Sequence, residues 1–90
     1  MQFMIVEKFE KPDAAPVYER FREKGRMAPE GLVHVSSWID RELRCCFQLM
    51  QAEDRSLIDL WMTRWEDIVD FEVFEVIGSE DATARAMMRP

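Results

Sequence analysis

Apolar and polar positions change period several times along the chain, and each change marks an element. From Gln2 to Phe9 two apolar sets alternate, Phe3/Ile5/Phe9 and Met4/Val6, interrupted by Glu7 and Lys8. That pattern predicts a strand buried on both faces. Lys11, Pro12 and Asp13 form a breaker followed by an N-cap, so a helix is expected over 13–24 with Val17 and Phe21 on its apolar stripe, joined by Ala14 and Tyr18. Gly25 suits the position after the helix, and 26–31 reads as a loop around Pro29. Two β-rich runs, 32–40 and 44–52, flank Arg41, Glu42 and Leu43, the length of a hairpin loop. Asp54 caps a second helix, in which Leu57, Trp61, Trp65 and Ile68 share one face. Strand composition returns over 70–77, and Gly78 and Ser79 precede an alanine-containing stretch, 80–88, suited to a short helix.

This order, β-α-β-β-α-β, predicts a ferredoxin-like α+β domain over 1–78: a four-stranded antiparallel sheet with two helices on one face, followed by a tail over 79–90. Two helices cover one sheet face, so the other meets water, a ligand or a second sheet. In the hairpin the odd positions (Val33, Val35, Ser37, Ile39 and Cys45, Phe47, Leu49, Gln51) are the more apolar and are expected under the helices. The even positions then lie on the open face, and a three-residue loop sets Trp38 opposite Cys46, Ser36 opposite Gln48 and His34 opposite Met50. Phe3, Ile5, Glu7 and Phe9 join them; Glu72, Phe74 and Val76 are assigned there too, although the last strand fits either parity. A face this apolar favours stacking against a second copy, as a dimeric α/β barrel enclosing a chamber.

Composition narrows the function classes. Eighteen acidic against twelve basic residues give a net charge of −6, the wrong sign for binding nucleic-acid phosphates. No stretch approaches the roughly 20 apolar residues of a membrane span, and Glu7 interrupts the N-terminus too early for a signal peptide. Cys45 and Cys46 are adjacent, a poor geometry for a disulfide, and read as reduced thiols in a cytoplasmic protein. A single histidine and the lack of ligand spacings argue against a structural zinc site, and nothing in the sequence demands a cofactor.

Several strings then stand out: Phe3-Met4-Ile5-Val6-Glu7, Gly25-Arg26-Met27 with Pro29-Glu30-Gly31-Leu32, Ser37-Trp38, Cys46-Phe47-Gln48-Leu49-Met50, and Trp65-Glu66-Asp67 with Val69-Asp70-Phe71-Glu72. In this order, over roughly residues 3–78, they resemble a small stand-alone bacterial family of unknown function in the dimeric α/β-barrel superfamily. The wider superfamily includes cofactor-independent monooxygenases, muconolactone-type isomerases, haem-handling enzymes and stress-responsive binding proteins. No motif of those enzymes maps onto this chain residue by residue.

The candidate chemistry lies with a few side chains. His34 has the one ordinary pKa near neutrality and is either a general acid or base or a hydrogen-bonded residue at a dimer seam. Glu7, among apolar neighbours, is either a proton acceptor or half of an ion pair with Arg26 or Arg44. Trp38 could stack on a planar ligand, Gln48 could orient a carbonyl or hydroxyl, and Arg26 could clamp a carboxylate. Ser36, Cys46, Met50 and Glu72 complete the expected lining of the chamber, whereas Trp61 and Trp65 read as packing. On this reading Trp38 reports ligand binding and the other tryptophans do not. Two functions remain open: a cofactor-independent oxygenase or isomerase acting on a small apolar or aromatic molecule in the barrel chamber, and a non-catalytic homodimer that binds a ligand or a protein.

Overall fold

The computed structural model describes residues 1–9 and 14–88. Seven elements follow in order: β1 (Gln2–Phe9), α1 (Ala15–Lys24), β2 (Val33–Ile39), β3 (Cys45–Gln51), α2 (Arg55–Thr63), β4 (Val69–Val76) and α3 (Ser79–Met87). The strands form one antiparallel sheet in the order β2-β3-β1-β4, the ferredoxin-like arrangement. The N-cap expected at Asp13 lies outside the described residues.

Local chemistry accounts for the element ends. Pro16 stands in the first turn of α1, where its missing N–H costs nothing, and Gly25 closes the helix at φ 69°, donating its N–H to the Phe21 carbonyl at 2.7 Å. The Asp54 carboxylate accepts the Ser56 N–H at 2.7 Å and starts α2. Although α2 ends at Thr63, backbone bonds from Trp65 N–H to the Met62 carbonyl and from Ile68 N–H to the Trp65 carbonyl carry the chain round in turns. Trp65 therefore continues the buried stripe past the end of the helix.

The core lies between the sheet and the helices and includes Phe3, Ile5, Met50, Ile58, Trp61 and Val69, each nearly inaccessible to solvent. Burying one such side chain contributes roughly 1.5–3 kcal/mol. The two helices do not contribute equally. Ile58 and Trp61 of α2 are buried, but no residue of α1 is, with Tyr18 and Phe21 each remaining more than two-fifths exposed. Helix α1 is tied down at its side by Arg20, which meets Asp67 through two bonds of 2.7 and 2.6 Å and lies over the Trp65 ring. This stand-off leaves room under α1.

For β1 and β3 the covered sheet face is the opposite of the one the hairpin pattern suggests. Phe3, Ile5, Glu7 and Phe9 of β1 and Cys46, Gln48 and Met50 of β3 are buried beneath the helices, and Phe71 and Val73 join them through the pairs Glu7–Phe71 and Ile5–Val73. Met4, Val6, Phe47, Leu49, Glu72, Phe74 and Val76 take the open face. The pairing of β1 with β3 follows the expected partition, but the side is reversed. The reason is bulk: Phe3, Ile5 and Phe9 on the central strand outweigh Met4 and Val6 and draw the helices to their side, whereas much of the hairpin's apolar character belongs to the edge strand β2.

The hairpin register also differs. Asp40 donates its N–H to the Cys45 carbonyl at 3.0 Å, so the loop has four residues and pairs an even position with an odd one. A bulge at Val35 restores the expected pair of His34 with Met50, but between bulge and loop Ser36 faces Leu49, Ser37 faces Gln48, Trp38 faces Phe47 and Ile39 faces Cys46. Ser36 and Trp38 lie on the open face and Ser37 on the covered one, as expected, but Cys46 and Gln48 are now on the opposite face from Ser36 and Trp38. The Asp40 carboxylate, accepting N–H groups of Arg44 and Cys45, is held below the usual carboxylate range and stabilises this loop.

Candidate functional site

A cavity of about 110 Å³ opens between the sheet and α1. The floor comes from β1 and β3, which present Glu7, Cys46 and Gln48; Val17, Tyr18 and Phe21 of α1 form one wall; Trp61 and Trp65 form the other. Arg26 stands in the loop after α1, and Ser37 reaches the cavity through the bulged register of β2.

Polar groups on the floor form a chain. Arg26 donates from Nε to Gln48 Oε1 at 3.3 Å, and Gln48 donates from Nε2 to Glu7 Oε2 at 2.8 Å. The orientation of the Gln48 amide is thus set at both ends. Glu7 is 5% exposed, and burial raises its pKa above the ordinary value; hydrogen bonds from Gln48 and Cys46 and the charge of Arg26 oppose that rise. Burial and the neighbouring Glu7 push the Cys46 thiol up to about 12, so it stays protonated at neutral pH. Burial also raises the Tyr18 phenol, helped by the neighbouring acidic groups Cys46 and Glu7.

Arg26 is held by its backbone. Trp61 and Trp65 both donate their indole N–H groups to the Arg26 carbonyl at 3.0 Å, and Arg64 donates to the Met27 carbonyl at 2.7 Å. These three bonds stabilise a loop in which Met27 takes φ 59°, a left-handed conformation unfavourable for a residue with a β-carbon. The guanidinium lies over the Phe21 ring, 5.2 Å from its centroid.

Of the residues expected in one chamber, the structure gathers Glu7, Arg26, Cys46 and Gln48 around this cavity, on the helix side of the sheet. Met50 is fully buried core. His34 shares the covered face but does not line the cavity; its Nε2 is buried without a hydrogen-bond partner among the described residues, and desolvation, then the Arg26 charge, lower its pKa. Ser36, Trp38 and Glu72 are on the other face, Trp38 at 61% exposure and Glu72 paired with Lys8. The side chains expected to share one chamber are thus divided between two faces. Arg44 pairs with Glu42 and Asp40 at the hairpin tip and is no partner for Glu7. Tyr18, Phe21, Ser37, Trp61 and Trp65 were not legible as lining; the stripe spacing placed four of them facing the sheet, but the gap beneath α1 has no signature in a periodicity. Among the described residues no cluster of His, Cys, Asp and Glu could hold a metal ion, and no helix is long and apolar enough to cross a membrane.

The chain belongs to the DUF3303 family, a domain of unknown function whose family model matches residues 1–89. No curated protein and no solved structure was found to match it.

Proposed function

We propose that this chain binds a compact apolar or aromatic molecule in the cavity beneath α1 and that Glu7 exchanges a proton with it. One observation carries the reading: a buried carboxyl group on the floor of a cavity whose walls are largely aromatic. A carboxyl group whose pKa is raised by burial is matched to accept and return a proton nearer neutral pH, and Gln48 keeps one of its oxygens in place. The reaction best suited to such a site is isomerisation, in which Glu7 takes a proton from a carbon beside a carbonyl and returns it to another carbon; with dioxygen as co-substrate the same deprotonation would begin an oxygenation. A second reading, binding without catalysis, is favoured by the bond from Gln48 to Glu7, which satisfies the carboxyl group as a structural pair; the cavity, about 110 Å³ against the roughly 300–1,000 Å³ of typical ligand pockets, restricts either reading to a small molecule.

The open sheet face supports a homodimer as part of this reading, because Trp38, Phe47 and Phe74 are exposed there beside Met4, Val6 and Leu49. Two free thiols and an acidic surface suit a bacterial cytoplasm.

Indole fluorescence and solvent-deuterium exchange test the function together. Phenol and cyclohexanone are expected to perturb Trp61 and Trp65, and the wild type to exchange the α-protons of cyclohexanone faster than Glu7→Gln, which binds it equally. Equal exchange by both proteins would leave only the binding module, and no response to either compound would remove the pocket reading.

A further inference from the structure

Resting on that pocket reading, we infer that the cavity selects a monocarboxylate with a compact ring or branched apolar body, whose carboxylate is received by the outer edge of the Arg26 guanidinium. Arg26 and Glu7 are the charged side chains lining the cavity, and Arg26 is only partly exposed. Its Nε is spent on Gln48, while neither Nη atom has a hydrogen-bond or ion-pair partner among the described residues. The other arginines with described pairings behave differently: Arg20 is matched by Asp67, Arg44 by Glu42 and Arg55 by Asp59. Glu7 does not neutralise Arg26 directly, because Gln48 stands between them and uses its two amide ends to join one to the other. What remains is a planar fork with two parallel N–H groups, the geometry that matches a carboxylate.

The fork is also preorganised. The Arg26 carbonyl is fixed by two indole N–H groups and its guanidinium plane by the Phe21 ring, so little freedom is lost when an anion docks. Size and charge restrict the anion. An apolar cavity of about 150 Å³ accommodates benzene, so one of about 110 Å³ excludes anything bulkier than a single ring or a branched chain of similar size. A phosphate dianion would bring twice the charge near the Glu7 carboxyl and would need more donors than one guanidinium edge supplies. A neutral amide of the same shape would set its own N–H groups against the guanidinium donors and lose one of the two bonds.

The test compares benzoate with benzamide, and cyclohexanecarboxylate with its amide, by following the Trp61 and Trp65 indole N–H resonances during titration. Each acid is expected to bind at least tenfold more tightly than its amide, and Arg26→Gln to abolish the difference while the two indole resonances report an intact fold. Arg26→Lys, which keeps the charge but not the fork, is expected to retain part of the preference. Amides that bind as tightly as the acids to the wild type overturn the anion selectivity and leave the pocket reading standing. If none of the four compounds shifts either indole, both fall together. The wild-type ratio decides the matter even if the Arg26 variants do not fold.

Discussion

Gln48 on β3 reaches across to β1 and donates to the Glu7 carboxylate at 2.8 Å, on the floor of the cavity beneath α1. A buried carboxyl group and a buried amide satisfy one another there, and neither position tolerates the loss of its partner cheaply. Gln48→Leu keeps the bulk but removes the donor. It is expected to cost about 1–3 kcal/mol in urea denaturation and to raise the Glu7 pKa further, seen by carboxyl NMR titration. An unchanged Glu7 titration would show that the hydrogen bond does not govern it.

Glu7→Gln addresses pH. Because the folded-state pKa of Glu7 lies above its ordinary value, the folded protein holds this proton more tightly than the unfolded chain. The stability Glu7 contributes is therefore complete below the unfolded pKa and lost as pH rises through the folded one. Asp40, Asp54 and Asp67 have depressed pKa values and act in the opposite sense, losing stability as pH falls, so the difference between variant and wild type isolates Glu7. That difference is expected to be constant in acid and to grow in favour of Glu7→Gln as pH rises, as read by thermal melts. A flat difference would contradict the raised pKa.

Burial first, and then the neighbouring Glu7, govern Cys46. With its thiol pushed up to about 12, the thiolate fraction at pH 8 is about one in 10,000, so Cys46 is expected to react with a thiol reagent far more slowly than Cys45 in the native protein. Glu7→Gln removes the adjacent negative charge and is expected to accelerate Cys46 alone. Rapid native reaction of both thiols in the wild type would contradict its burial.

Two aspartate substitutions distinguish the sheet faces. Met50 is buried beneath the helices, so Met50→Asp is expected to unfold the chain, with a cost of several kcal/mol. Trp38 is 61% exposed on the open face, so Trp38→Asp is expected to leave the melt of the single chain unchanged and to dissociate the proposed dimer in sedimentation. A wild type that sediments only at 10.7 kDa would remove the dimer.

Trp61→Phe removes one of the two indole donors to the Arg26 carbonyl. A loss of about 1–3 kcal/mol is expected from the bond and the void together, and the double variant with Trp65→Phe is expected to lose more than the sum, since Met27 at φ 59° then depends on Arg64 alone. Additive losses would show that the two donors act independently.

Local sequence suffices for the order and type of the elements, because period, capping residues and breakers act over a few residues: Asp54 caps α2, Gly25 ends α1, and alternation marks the strands. It also offered Glu7, Arg26, Cys46 and Gln48 as candidates, but in one set with His34, Ser36, Trp38, Met50 and Glu72, which do not line the cavity. Alternation, however, divides a strand into two sets without saying which set the helices cover. That was decided by the summed bulk of all four strands, in which Phe3, Ile5 and Phe9 prevailed over the apolar edge strand β2. The four-residue loop sets Ser36 to Ile39 against the other set of β3 positions, and the bulge at Val35 restores the expected pair only at His34, which parity counted from a three-residue loop could not anticipate. The cavity exists only in the tertiary structure, since it is the space left where α1, held at its side by Arg20 and Asp67, does not settle fully onto the sheet.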